Sequence, residues 1–305
     1  MTVEITQSEL VSLADCPKKW DFKYNRLLRP KQKSVKLVLG SAIHEGIESF
    51  YTQRGDPVDV VRQYCQKVFD DADQRGLLID DEYQITLQKS EAIMKAYLKR
   101  YKNDLDIYKV LEVEKTFRVH LVDDIYLNGK IDRRMQDRRS NVIYPTESKT
   151  AASWDEDVNR LMLDFQVSVY SWVESKLYDL DSVMFLYDVI RKPALRIKKN
   201  EDLEIFLNRI ETSLLEEADT YFFRTKVSRS RNEINRTYDE LVIRARDLVR
   251  RRQTGEVYRN PSDACFWKCD HRALCLEDTI DMEQALYVKM DVPHQELRET
   301  NERQD

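Results

Sequence analysis

Asp132, Glu147 and Lys149 put two carboxylates and an ammonium within eighteen residues. They lie in the stretch GKIDRRMQDRRSNVIYPTESKT, residues 129–150. Ile125, Leu127 and Ile131 alternate with polar residues, the period of a half-buried strand, which sets Asp132 on the face opposite those apolar side chains. The polar run Asp137-Arg138-Arg139-Ser140-Asn141 reads as a turn. Val142, Ile143 and Tyr144 then restart a strand that carries Glu147 and Lys149. Residues two apart in a strand share a face, so these two project together. A hairpin here would hold Asp132 close to Glu147. Two converging carboxylates without a matching set of cations repel, and favour a divalent metal; hard oxygens suit Mg²⁺ or Mn²⁺. The neighbouring ammonium could orient a water or stabilise charge building on a phosphate.

The elements that must position this hairpin read as helices and further strands. Leu37 to Tyr51 has Ile43, Ile47, Phe50 and Tyr51 at helical spacing, with His44 beside that stripe. Taken alone, such a histidine is more often structural than a ligand. Val58 to Ala72 and Asp81 to Lys102 are helical by pattern, and Tyr108 to His120 alternates as a strand, so at least three strands run consecutively as a meander. Trp154 to Asp157 reads as a loop and Val158 to Leu177 as a helix. Leu161, Phe165, Val169 and Trp172 should face the sheet, while Gln166 and Tyr170, four apart, share another stripe. Val183 to Ile190 is a fourth strand and Leu195 to Lys198 a short fifth. Asp202 to Phe223 and Tyr238 to Arg252 are amphipathic helices, with the basic stretch between them read as a loop. From about Thr279 no strong pattern is visible.

Four of the five cysteines form a second constellation: Cys265-x3-Cys269-x5-Cys275, and Cys16 far upstream. Four thiolates can close a tetrahedral site for zinc or for an iron–sulfur cluster, and spacing alone does not choose between them. Such a site would pin the two ends of the chain and close a very long loop. His271, inside the cysteine run, could substitute as a ligand, but an exposed side chain is the expectation. Cys65 stands apart and reads as a small buried apolar residue.

The chain has 305 residues, 42% of them hydrophobic, with six Gly and seven Pro, which suits one large domain and argues against a disordered protein. Residues 1–280 read as that domain with helical elaborations, and 281–305 as a C-terminal tail. The first residues lack a basic and then apolar leader, no apolar run approaches a membrane span, and the odd cysteine count suits a reducing cytoplasm. Net charge is −5, but basic residues cluster locally: eight against two acidic ones from Asp15 to Lys36, and five against one from Arg224 to Arg236. Trp20, Phe22 and Tyr24 are interleaved with Lys18, Lys19 and Lys23. These patches, with Arg229 and Arg231 in the second, are candidates to follow a phosphate backbone; the plainer alternative is a solvated face.

The order of these features resembles the PD-(D/E)XK nuclease superfamily, and within it the RecB-like and CRISPR-adaptation-nuclease-like exonucleases. A helix with His44 precedes a strand with Gly-x-Ile-Asp-Arg, then a strand with Glu-x-Lys-Thr, then a helix with Gln-x-x-x-Tyr. The resemblance spans Cys16 to Cys275. It implies an α/β fold, a restriction-endonuclease-like mixed sheet flanked by helices, with a [4Fe–4S] cluster tying the N- and C-terminal regions. It implies His44, Asp132, Glu147 and the backbone carbonyl of Ser148 as metal ligands and Lys149 as the residue that positions the attacking water. Gln166 and Tyr170 would orient the site and the DNA backbone, and Cys16, Cys265, Cys269 and Cys275 would hold the cluster. The activity expected is metal-dependent hydrolysis of DNA from ends, with single-stranded DNA or DNA ends as partner and recombination or replication proteins nearby. Repair, recombination or phage DNA processing in a bacterial, archaeal or phage-infected cell would be its setting. The alternatives are trimming of DNA inside a CRISPR-adaptation-type complex, and an inactive DNA-binding module. Three features depart from the family's usual pattern: Glu147 stands where Asp is commoner in this subgroup, Pro145 interrupts that strand two residues earlier, and the cysteine spacing is three then five where two then five is usual.

Overall fold

The computed structural model describes residues 2–32, 34–76, 81–152, 161–294 and 297. Strand β1 (Val3–Thr6) leads into helix α1 (Gln7–Asp15), whose first turn is capped by the Thr6 side chain accepting from Glu9 N at 3.2 Å. Pro17 opens the short α2 (Pro17–Trp20), where its missing N–H is no loss. After β2 (Leu28–Pro30) come three long helices, α3 (Val35–Thr52), α4 (Pro57–Gln74) and α5 (Asp81–Arg100), and the single turn α6 (Asp104–Ile107). Strands β3 (Tyr108–Val122), β4 (Ile125–Asp137) and β5 (Ile143–Ala151) form the expected antiparallel meander.

The described part of the next helix, α7, spans Phe165–Tyr178. Leu161–Leu163 form only a 3₁₀ turn before it, and the loop expected at Trp154 to Asp157 lies outside the described residues, as do residues 158–160. Strand β6 (Val183–Arg191) matches its expectation. Leu195 to Lys198 does not: it is irregular, and among the described residues no strand pairs with it. The helix expected over Asp202 to Phe223 is two, α8 (Leu203–Glu216) and α9 (Ala218–Tyr221), and ends at the sheet. The basic stretch expected to be a loop is strand β7 (Phe222–Arg229) followed by the start of helix α10 (Arg231–Thr254), which Ser230 and Glu233 close with a capping box. Past two short helices, α11 (Ala264–Trp267) and α12 (Arg272–Leu276), the patternless segment after Thr279 forms α13 (Ile280–Leu286) and β8 (Tyr287–Lys289), which pairs with β2.

The mixed six-stranded sheet has the order β1-β4-β5-β6-β7, with β3 along the other edge of β4. Two cores pack on it. Ile5, Leu127, Phe185, Val189 and Leu241 belong to the layer made with α1, α7 and α10; Ile43, Tyr97, Leu186, Ile190 and Ile210 belong to the layer made with α3, α4, α5 and α8. Alternate residues of β6 thus serve opposite layers, which explains its unbroken apolar run.

One detail of β4 creates the site. Its free edge carries β1 at residues 125–128 and β5 at residues 133–136, so between them Gly129 to Asp132 has no ladder partner on that side. The facing also switches here. Ile131 packs in the α7 layer, yet Arg134 reaches Glu174 of α7 and Met135 packs in the opposite layer. Across from Asp132, Glu114 of β3 takes a left-handed conformation with φ 52°. Pro145 is tolerated inside a central strand because β6 begins to pair only at the next residue, Thr146 with Leu186.

Candidate active site

Strand β5 leaves β4 after Thr146, and a side chain replaces the lost ladder bond: Ser148 N donates to Asp132 Oδ2 at 2.8 Å. That bond fixes the Asp132 carboxylate against the next strand. His44 of α3 brings Nδ1 to 3.7 Å from the same oxygen. Gly40, one turn earlier on that face, lets α3 come this close; a Cβ there would stand 3.1 Å from Thr150 Oγ1.

Glu147 is 3% exposed. Its Oε1 accepts from Lys149 Nζ at 2.5 Å and from Gln166 Nε2 at 2.8 Å, while Oε2 is buried with no hydrogen-bond partner among the described residues. Burial pushes its carboxyl up to about 7, the Asp132 charge adds to the effect, and Lys149 only partly offsets it. For Lys149, burial opposes the charge, but Glu147 and Asp132 outweigh it and hold the ammonium above its ordinary value. Tyr170 is buried one turn beyond Gln166, and burial followed by the Glu147 charge raises its hydroxyl well above the usual range. The edge of the Phe117 ring packs on it, with centroids 5.7 Å apart. Phe117 can lie there because Gly129 sits directly across the ladder, where a Cβ would come within 2.4 Å of the ring.

His44, Asp132, Glu147, Ser148, Lys149, Gln166 and Tyr170 are therefore drawn to one place by β4, β5, α3 and α7. Among the described residues, no group of three or more His, Cys, Asp and Glu side chains is arranged to hold a metal ion. The donor set nonetheless fits a divalent cation: two adjacent carboxylates, one with a partnerless oxygen and a raised pKa, and an imidazole beside them.

The family model of the PD-(D/E)XK nuclease superfamily matches residues 4–276. The chain belongs to that superfamily. No curated protein matches it. Among solved structures, this nuclease is similar to one from Eubacterium rectale named "Putative exonuclease", with 14% identity, 88% of this chain and 86% of that chain covered, and a TM-score of 0.47.

The nuclease's basic patches behave differently from their sequence. Lys18 pairs with Asp21 and Asp278 at 3.6 and 3.2 Å and lies over the Phe22 ring, Lys19 reaches Asp15 at 3.9 Å, and Lys23 lies over Tyr24. Trp20 is core, as expected. Arg229 is corrected outright as a surface contact: it is 2% exposed, donating to Ser168 Oγ at 3.0 Å and to Leu161 O at 2.7 Å. Arg231 is exposed and paired with Asp181. What the sequence reading missed is a buried ionic network under the site. Arg133 Nη2 donates to Ser148 Oγ at 2.8 Å and lies 3.5 Å from Asp188, which also accepts from Arg224 at 2.9 Å and Tyr97 at 2.8 Å. The only sequence signal was charge inside otherwise apolar strands.

Cys16, Cys265, Cys269 and Cys275 are all half-buried and line one cavity of about 530 Å³, while Cys65 is buried elsewhere in α4. Asn260 N and Ser262 N donate to the Cys16 and Cys265 sulfurs, each at 3.4 Å. Burial raises the Cys269 and Cys275 thiols. His271 is not exposed as expected. It is stacked between Phe22 and Tyr287 and its Nε2 lies 3.2 Å from Leu28 O, because the β2–β8 pair closes over it.

Proposed function

We propose that this nuclease is a divalent-metal-dependent DNA exonuclease. The observation that carries the reading is Glu147: a buried carboxylate beside a second one, raised to about 7, with one oxygen lacking a partner among the described residues. Such a group calls for a cation from outside the chain. His44, Asp132, Glu147 and the carbonyl of Ser148 would hold Mg²⁺ or Mn²⁺, which would polarise the scissile phosphate and neutralise its developing charge. Lys149 orients the attacking water from the same strand face. Gln166 fixes one Glu147 oxygen and leaves the other for the ion, and Tyr170, wedged against Phe117, keeps Gln166 in place. The motif order shared with RecB-like exonucleases supports attack from ends, and with it a role in recombination, repair or phage DNA processing.

The cysteine lobe is proposed to hold a [4Fe–4S] cluster through Cys16, Cys265, Cys269 and Cys275, with zinc as the competing ion. Four half-buried thiols around one cavity, two of them already accepting backbone N–H groups, support it. Anaerobically purified protein should be brown with about four irons per chain. Colourless protein with one zinc would contradict this. The activity test is Mn²⁺-dependent digestion of end-labelled linear DNA, single- and double-stranded, beside a closed circle. Loss of label from linear DNA alone, abolished by Asp132→Ala, is expected. An intact linear substrate would favour the inactive DNA-binding alternative, and cutting of the circle would refute the end-directed reading.

A further inference from the structure

Four lysines line the cavity of about 500 Å³ that also contains His44 and Asp132: Lys36, Lys130, Lys149 and Lys192. Two of them are neutralised within the chain, Lys130 by Glu114 and Lys149 by Glu147. Among the described residues, neither Lys36 nor Lys192 has a carboxylate partner. The acidic side chains of this cavity, Glu45, Glu48, Glu114 and Asp132, include those whose charge bears on Lys130, whereas among the described residues the charged neighbour bearing on Lys192 is Lys36.

The backbone holds these two lysines together. Lys192 follows the last residue of β6, and its N–H donates to Ala151 O at 2.8 Å, extending the β5–β6 ladder by one step. Its ammonium donates to Lys36 O at 3.3 Å, in the first turn of α3. Lys192 is half-buried, and burial together with Lys36 lowers its pKa. The N-cap of this 18-residue helix, Ser34, makes no side-chain capping bond, so the positive end of the helix dipole adds to the two ammonium groups. Two like charges converging at a helix N-terminus are stable only with an anion between them or a solvent screen. Along β6, Lys192 stands three residues past Val189, the partner of Lys149, which is about 10 Å along a strand. That separation suits a neighbouring phosphate of the strand being cut.

We propose that Lys36 and Lys192, with the N-terminus of α3, form a phosphate subsite that grips the nucleic-acid strand next to the position of cleavage. The proposal rests on the DNA-nuclease reading of the same cavity. The phosphate is either the terminal monophosphate of the strand or an internal diester.

The test is equilibrium binding of short single-stranded oligonucleotides, with a 5′-phosphate, a 3′-phosphate or neither, without added divalent metal so that none is cut. Lys192→Ala and Lys36→Ala should each weaken binding about tenfold at physiological salt. Each should also flatten the dependence of log affinity on log salt by about 0.7, one phosphate contact on a single strand. Lys192→Arg should restore most of both. A loss confined to one phosphorylated end assigns the site to the terminal phosphate; an equal loss on all three assigns it to an internal diester. Unchanged affinity and salt slope in folded Lys192→Ala, against a wild type that binds, would overturn the subsite and leave the nuclease reading standing. A wild type that binds none of the oligonucleotides would overturn both.

Discussion

Glu147 and Asp188 sit one residue out of register on the paired central strands β5 and β6, where Ser148 is the partner of Asp188. Both are enclosed, at 3% and 0% exposure, and each keeps one oxygen without a hydrogen-bond partner among the described residues. Their charge environments are opposite. Asp188 suffers burial, but Arg224 and Arg133 more than offset it and hold its carboxyl below the usual range. Glu147 suffers the same burial with Asp132 as neighbour and a single lysine in reply, and rises to about 7. Burial alone therefore does not mark a functional carboxylate. The carboxylate whose charge the chain itself neutralises, Asp188, reads as scaffold; the one it leaves unbalanced, Glu147, is the proposed seat of an ion from outside.

Substitutions at the two carboxylates and their neighbours should have different consequences. The largest effect expected is on chemistry: Lys149→Ala should lower the cleavage rate about 10³-fold while thermal unfolding stays near wild type. Retained cleavage would remove Lys149 from the site. On the scaffold side, Asp188→Ala leaves Arg133 and Arg224 buried without their shared anion. It should destabilise the chain by about 3–5 kcal/mol in denaturant unfolding. Glu147→Gln should by contrast leave the metal-free protein as stable as wild type or more so. If both substitutions destabilise equally, the two carboxylates do the same job and the distinction fails.

The pH dependence sharpens the point. In metal-free protein the Glu147 carboxyl stays protonated up to about 7, whereas in the unfolded chain it releases its proton near the ordinary value of 4.5. The folded state thus holds the extra proton between those values, and its stability should fall as pH rises through that window. Mn²⁺ should reverse the trend by binding the ionised form. Melting curves with and without Mn²⁺ from pH 4.5 to 7.5 would show it, and a slope unaltered by metal would count against ion binding at Glu147. The smallest effect expected is at Gly129→Ala, which pushes the Phe117 ring off the strand and loosens Tyr170. A loss of about 1–3 kcal/mol is expected, together with a lower rate at saturating substrate, measured on the same preparation.

The hairpin, the meander and the helices carrying His44 and Gln166 were legible because each depends on local alternation or on three-to-four spacing. Strand β7 was not. Arg224, Lys226 and Arg229 made it look like a solvated loop, yet Arg224 reaches Asp188, Lys226 bonds Tyr144 and Arg229 is buried against α7. Charged side chains whose partners are distant in the chain leave no local trace. The short β1 and β8 were missed for the same reason: each is held by a partner strand more than a hundred residues away. The gap in the β4 edge that frees Asp132 is likewise set by where β1 ends and β5 begins, and no window around Asp132 contains that information.

Titration calorimetry of Mn²⁺ into the metal-free nuclease, wild type beside Glu147→Gln and Asp188→Asn, shows whether the buried Glu147 carboxylate takes an ion. Saturable binding to wild type and to whatever Asp188→Asn remains folded, abolished in folded Glu147→Gln, is the result expected. Binding of equal affinity to Glu147→Gln would show that the buried carboxylate is not awaiting an ion, and the proposed active site would have to be given up.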